Sequence, residues 1–169
     1  EVGFSVLNHK EACSLAVENN INVTLHADWE VPEGIKEVVL DSKAKRVGHG
    51  SQIINDISFE SGSVTFNNDA AKYVFDNKIA LEICPTSNVQ CGAYPNVSEH
   101  SFGELYKAGF NVTINTDNRL MSDITMSEEV SNVVESFGLG EKDILSITKK
   151  TIEAGFVESK LRTELLKKL

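Results

Sequence analysis

Four short runs of apolar and β-branched residues recur along the chain, at 21–26 (INVTLH), 46–50 (RVGHG), 79–84 (IALEIC) and 111–115 (NVTIN). Runs of this length and composition suit strands buried on both faces. The stretches between them carry helical spacing instead. Residues 11–19 set Ala12, Leu15, Ala16 and Asn19 on one face, and 32–42 open on Pro32 and align Ile35, Val38 and Val39. Residues 69–77 align Ala71, Val74 and Phe75, and 99–108 align Phe102, Leu105 and Tyr106 before Gly109 stops the helix. Thr125 and Glu128 have the spacing of a capping box ahead of Val130, Val133, Val134 and Phe137, and helices over 142–154 and 157–169 complete the pattern. Strand and helix alternating four times predict an α/β fold of βα units around a parallel sheet, with additional C-terminal helices. The whole chain, 1–169, is expected to be a single domain. Residues 58–68 (SFESGSVTFNN) interrupt the rhythm as an insertion, either a small hairpin or an exposed loop.

Composition narrows the function classes. The 169 residues carry 16 Lys and Arg against 25 Asp and Glu, a formal net charge of −9, with 41% hydrophobic residues. That is the make-up of an ordinary globular domain, and the acidic balance argues against a partner that is nucleic acid. No apolar run approaches the ~20 residues of a membrane span, and the N-terminus lacks a signal pattern. Three cysteines, Cys13, Cys84 and Cys91, form no disulfide framework and no C-x-x-C pair. They read as small buried hydrophobes of a reducing, cytoplasmic protein.

The candidate chemistry lies where the runs end. The first ends in His26, the second in His49, the third leads into Cys84-Pro-Thr-Ser-Asn88, and the fourth into Asn115-Thr-Asp-Asn118. In βα barrels the C-terminal ends of the strands form the active face. A single histidine at a strand end is more often a core or loop residue, but four successive strands each delivering ligand or acid–base side chains point to a site. His26, His49 and Asp117 are of the types that bind or serve a catalytic zinc, which keeps about three protein ligands and lowers the pKa of a bound water towards ~7. Asp28 and Glu30, just after His26, offer a proton donor, or simply solvate the loop and cap the helix that follows. Gly48-His-Gly50 lacks the third glycine of a dinucleotide fingerprint, and its glycines suit close approach of the backbone to a substrate. Neither a Walker A pattern nor a G-x-S-x-G elbow occurs.

Taken in order, RVGHG at 46–50, LEICPTSNVQ at 81–90, the EH of 99–100 and NTDNRLMS at 115–122 resemble the adenosine deaminase family, in its bacterial form. The LHA of 25–27 is similar to that family's H-A-G-E segment. The resemblance implies a zinc-dependent (β/α)8 barrel of the TIM type, of which this chain would supply the second half as about four βα units. It implies His26 and Asp117 as zinc ligands, and His49 as the residue that orients or deprotonates the reacting water. It places Asn118 against the purine, where many members carry an aspartate. The implied reaction is hydrolytic deamination of adenosine to inosine and ammonia, with a purine nucleoside as the small-molecule substrate. The other zinc deaminase class is excluded, since its H-x-E and P-C-x-x-C signatures are absent.

Two departures qualify the resemblance. The family's proton-donating glutamate follows its histidine by three residues, whereas here the segment reads His26-Ala-Asp-Trp-Glu30. Glu30 is the expected acid and Asp28 its alternative. The family's first strand also supplies an H-x-H ligand pair, and no H-x-H occurs here. The chain, which opens without a methionine, is therefore expected to need its own N-terminal half, or a second copy, to close the barrel. The competing expectation is a non-catalytic half-barrel, and within the enzyme class another 6-aminopurine could replace adenosine.

Overall fold

The computed structural model describes residues 4–27, 33–60 and 63–169. Four parallel strands form its main sheet: β1 (Thr24–Ala27), β2 (Arg46–His49), β5 (Ala80–Ile83) and β6 (Val112–Ile114), in the spatial order β1-β2-β5-β6. The register sets His26 opposite Gly48, Gly48 opposite Glu82 and Ile83 opposite Ile114, so the C-terminal ends of all four strands lie on one rim. Helices connect the strands, giving consecutive βα units of a partial barrel. Beyond the strands, α1 (Lys10–Glu18) leads into β1, α3 (Asp69–Asp76) into β5, and α5 (Phe102–Ala108) into β6. Three helices, α7 (Met126–Phe137), α8 (Glu141–Ala154) and α9 (Ser159–Leu166), follow the sheet.

The core forms where the apolar runs meet the helical stripes. Val47, Leu81, Ile83 and Val112 of the strands pack with Val38, Val39, Ala71, Val74, Phe102, Leu105 and Phe110, each essentially removed from water. Burying a side chain of this size contributes roughly 1.5–3 kcal/mol, so these positions fix which helix face turns inward. Thr125 and Glu128 form the expected reciprocal capping box at the start of α7.

Several elements depart from the sequence pattern. The first strand is shorter than the 21–26 run, because Ile21 is exposed and pairing begins at Thr24. The helical stretch expected over 32–42 is α2 (Gly34–Lys36) followed by a π-helical turn, Glu37–Asp41, closed by the Ser42 N–H to Glu37 carbonyl bond of 2.8 Å. On α1, the expected inward face is wrong: Cys13 is buried while Leu15 and Val17 are exposed. Of the three cysteines, Cys13 and Cys84 are buried as expected, but Cys91 is exposed. Two helices carried no periodic signal, α4 (Pro85–Gln90) and α6 (Arg119–Ser122). Within the irregular 58–68 segment, β3 (Ile57–Glu60) and β4 (Ser63–Phe66) pair antiparallel as a hairpin.

At the strand starts, opposite the rim that carries His26 and His49, Arg46 lies 3.0 Å from Glu82, and Thr24 Oγ1 donates to Glu82 at 2.6 Å. The guanidinium of Arg46 also stacks at 3.8 Å on the ring of Phe156, which follows α8. The segment after α8 thus returns to the first strands. Beside β1 lies a cavity of about 390 Å³, lined among others by Val6, Leu25, His26 and Val38. Successive strand residues point to opposite faces, so a cavity that touches both Leu25 and His26 wraps the outer edge of β1.

Candidate active site

The two site residues at the ends of β2 and β6 hold uncommon backbone. His49 has φ 58° and Asp117 φ 56°, both in the left-handed region. The other non-glycine residues of this kind among the described residues are Asn20, Lys43, Lys78 and Asp123, which lie just past helical segments, where a left-handed residue commonly ends a helix. His49 and Asp117 have no such reason. Each costs of order 1–3 kcal/mol, and the surrounding packing holds both. Gly50 follows with φ 70°, and a Cβ there would come within 2.8 Å of the Leu81 side chain. Glycine is therefore needed for the turn that follows His49. Gly48 likewise makes room for the backbone of β1, since a Cβ on it would meet His26 Cα at 3.2 Å.

These turns bring the candidate side chains together. The rings of His26 and His49 meet edge to face, with centroids 4.8 Å apart. Nε2 of His49 faces Asp117 Oδ2 at 3.9 Å, and Ser87 Oγ donates to the same carboxylate oxygen at 2.7 Å. Asn118 begins α6, with its side-chain oxygen accepting from the Met121 N–H at 3.2 Å. Asp28 and Glu30 lie outside the described residues.

Three further residues complete the surroundings of His49. Nδ2 of Asn88 lies 3.2 Å from His49 Nδ1, and Asn88 Oδ1 lies 3.1 Å from His100 Nε2. His100 is buried, stacks on Tyr94 with centroids 4.0 Å apart, and accepts at Nδ1 from the Phe102 N–H at 2.9 Å. Burial, with His49 adding to it, pushes the His100 imidazole down to about 4. Ser87, Asn88 and His100 entered the sequence reading only as letters of motifs. No linear spacing announces that 49, 88 and 100 meet. The one local signal is Pro85, which fits the first turn of a helix and so presents 87 and 88 from a fixed platform. Cys84 is held as a thiol: burial pushes its pKa well up, and the charge of Asp117 adds to this, so it is no nucleophile.

The donor types suit zinc in part. An imidazole from β1 and a carboxylate after β6 are natural ligands, and the Ser87 hydroxyl orients that carboxylate as outer partners of metal ligands do. Among the described residues, however, no group of three or more His, Cys, Asp or Glu is placed to hold an ion. His26 and Asp117 are of the right chemical type but do not by themselves make up a full zinc ligand set.

A family model described as adenosine deaminase matches residues 2–169. The chain is 39% identical over 169 residues to an adenosine deaminase of Mycobacterium marinum, covering 98% of this chain and 46% of that protein. It thus spans about half the length of the curated relatives it matches. Among solved structures, an adenine deaminase from Arthrobacter aurescens superposes with a TM-score of 0.87 at 21% identity, over 99% of this chain and 48% of the other. An amidohydrolase from Burkholderia ambifaria with bound zinc superposes with a TM-score of 0.74 at 19% identity, over 92% and 41%. The match runs along almost the whole length of the chain, and the chain belongs to the adenosine deaminase family.

Proposed function

We propose that this chain is the second half of a zinc-dependent adenosine deaminase, which converts adenosine and water to inosine and ammonia once the first half of the barrel is joined to it. The observation that carries this reading is the meeting of His26, His49 and Asp117 on one rim of a parallel sheet. His26 and Asp117 would hold zinc, with further ligands from the missing half. Zinc bound there would lower the pKa of water towards ~7 and so supply hydroxide at neutral pH. The chain's own residues orient the reactants. Ser87 fixes the Asp117 carboxylate, and His49 directs Nε2 into the same space. Asn118 contacts the purine, and Glu30, with Asp28 as the alternative, supplies the proton at N1. Acting in concert, fixed donors of this kind lower the barrier where charge develops on the base. The protein is assigned to the cytoplasm, and its partner is its own N-terminal half or a second copy.

The experiment is complementation. The chain is purified with zinc, alone and mixed with a polypeptide that supplies the first half of the barrel, and zinc content and inosine formation are measured. The expected outcome is near-stoichiometric zinc and turnover in the mixture, both lost in Asp117→Ala, with neither in the chain alone. A complex that forms but holds no zinc and makes no inosine would overturn the reading in favour of a non-catalytic half-barrel.

A further inference from the structure

Three hydrogen bonds run from the backbone of α5 to the ring of His49, and each decides the next. A backbone N–H only donates, so the Phe102 N–H at 2.9 Å requires an unprotonated Nδ1 on His100. His100 is only 3% exposed and held neutral by its burial, so its one ring proton sits on Nε2. That Nε2–H donates to Oδ1 of Asn88 at 3.1 Å. The amide of Asn88 is thereby turned with its oxygen towards His100 and its NH2 towards His49 Nδ1, 3.2 Å away. An amide NH2 only donates, so Nδ1 of His49 must accept. Neutral His49 then carries its proton on Nε2, the nitrogen that faces Asp117.

We propose that Asn88, clamped by His100, is a positioning residue that fixes the neutral His49 ring in its Nε2–H tautomer. His49 then presents a hydrogen-bond donor to the reacting centre. With no lone pair at Nε2, the neutral ring cannot take a proton there, so it orients the attacking oxygen and does not deprotonate it. The proposal rests on the reading of His49 as a residue of the deaminase centre, but its geometry involves neither metal nor substrate. Tautomer control through the second ring nitrogen is a general device of histidine sites.

The test reads the tautomer directly. Two-bond proton–nitrogen correlation spectra are recorded on the isotope-labelled chain at about pH 8, above the ordinary imidazole range. The chain holds four histidines, so His9→Gln and His26→Gln, together with a His100→Gln variant, assign the signals. The expected result is a pyridine-type Nδ1 and a pyrrole-type Nε2 for both His49 and His100. In Asn88→Asp the carboxylate can only accept, so the His49 Nδ1 signal should shift from pyridine-type to pyrrole-type while His100 keeps its pattern. A wild-type His49 protonated on Nδ1 would overturn the proposal, as would an Asn88→Asp ring that keeps the wild-type pattern. If that variant does not fold, the wild-type spectrum alone decides. Failure here leaves the zinc and inosine experiment untouched, and failure of that experiment leaves this spectrum unchanged.

Discussion

His100 is a histidine that the fold keeps uncharged, and this ties stability to pH. Its imidazole falls from 6.5 to about 4 on folding, burial being the main cause. Between those values the unfolded chain binds the proton that the folded chain refuses, so stability is full above 6.5 and is lost as pH falls towards 4. The shift is equivalent to roughly 3 kcal/mol. Urea unfolding across this window should show a drop of that order in the wild type and a flatter profile in His100→Gln. A His100→Gln profile as steep as the wild type would mean that other groups carry the acid sensitivity. At this scale the sequence was a partial guide. His26, His49 and Asp117 stood out because each ends an apolar run. His100 did not, because its partners 49 and 88 reach it only through the fold.

Elements position one another through a few polar contacts. Glu129, wholly buried on α7, accepts the Thr86 N–H at the start of α4 at 2.9 Å, and Asn132 of α7 donates to Thr86 Oγ1 at 3.3 Å. Helix α4 carries Ser87 and Asn88, so α7 sets the platform that aims both at the centre. Glu129→Ala removes the acceptor for a buried N–H and leaves a cavity, and should destabilise by about 2–4 kcal/mol in denaturant unfolding. Glu129→Gln keeps an oxygen of the same reach and nearly the same volume and should cost markedly less; equal losses would show that the charge of the carboxylate, and not the acceptor or the volume, matters there. Helix α4 was illegible in the sequence for a physical reason. Pro85-Thr-Ser-Asn-Val-Gln90 holds a single large apolar residue, so it has no stripe, and tertiary contacts hold it in place of periodicity. The runs at 46–50, 79–84 and 111–115 were legible because buried parallel strands are apolar on both faces. The face of α1 misled because its expected apolar row, which includes Leu15, meets nothing among the described residues that buries it.

For the whole molecule, surface area measures how incomplete the closure is. The accessible surface is 9721 Å², whereas a compact monomer of 18.5 kDa is expected to expose about 8,200 Å². The surplus, about 1,500 Å², is nearly twice what one partner contributes to an interface of standard size. Exposed apolar side chains accompany it, among them Phe4 at 69%, Leu120 at 88% and Met121 at 76%. The isolated chain should therefore bind a hydrophobic dye and associate as its concentration rises, and both effects should fall when the first half of a barrel is added. A chain that stays monomeric and dark at all concentrations would show that this face is already covered. The contact between Arg46 and Phe156 bears on the order of events as the chain is made. The guanidinium is made before Glu82, its ionic partner, and well before Phe156, its aromatic cover. Until Phe156 has been made the guanidinium of Arg46 lacks its aromatic cover, so this contact forms only after all four strands of the sheet have been synthesised.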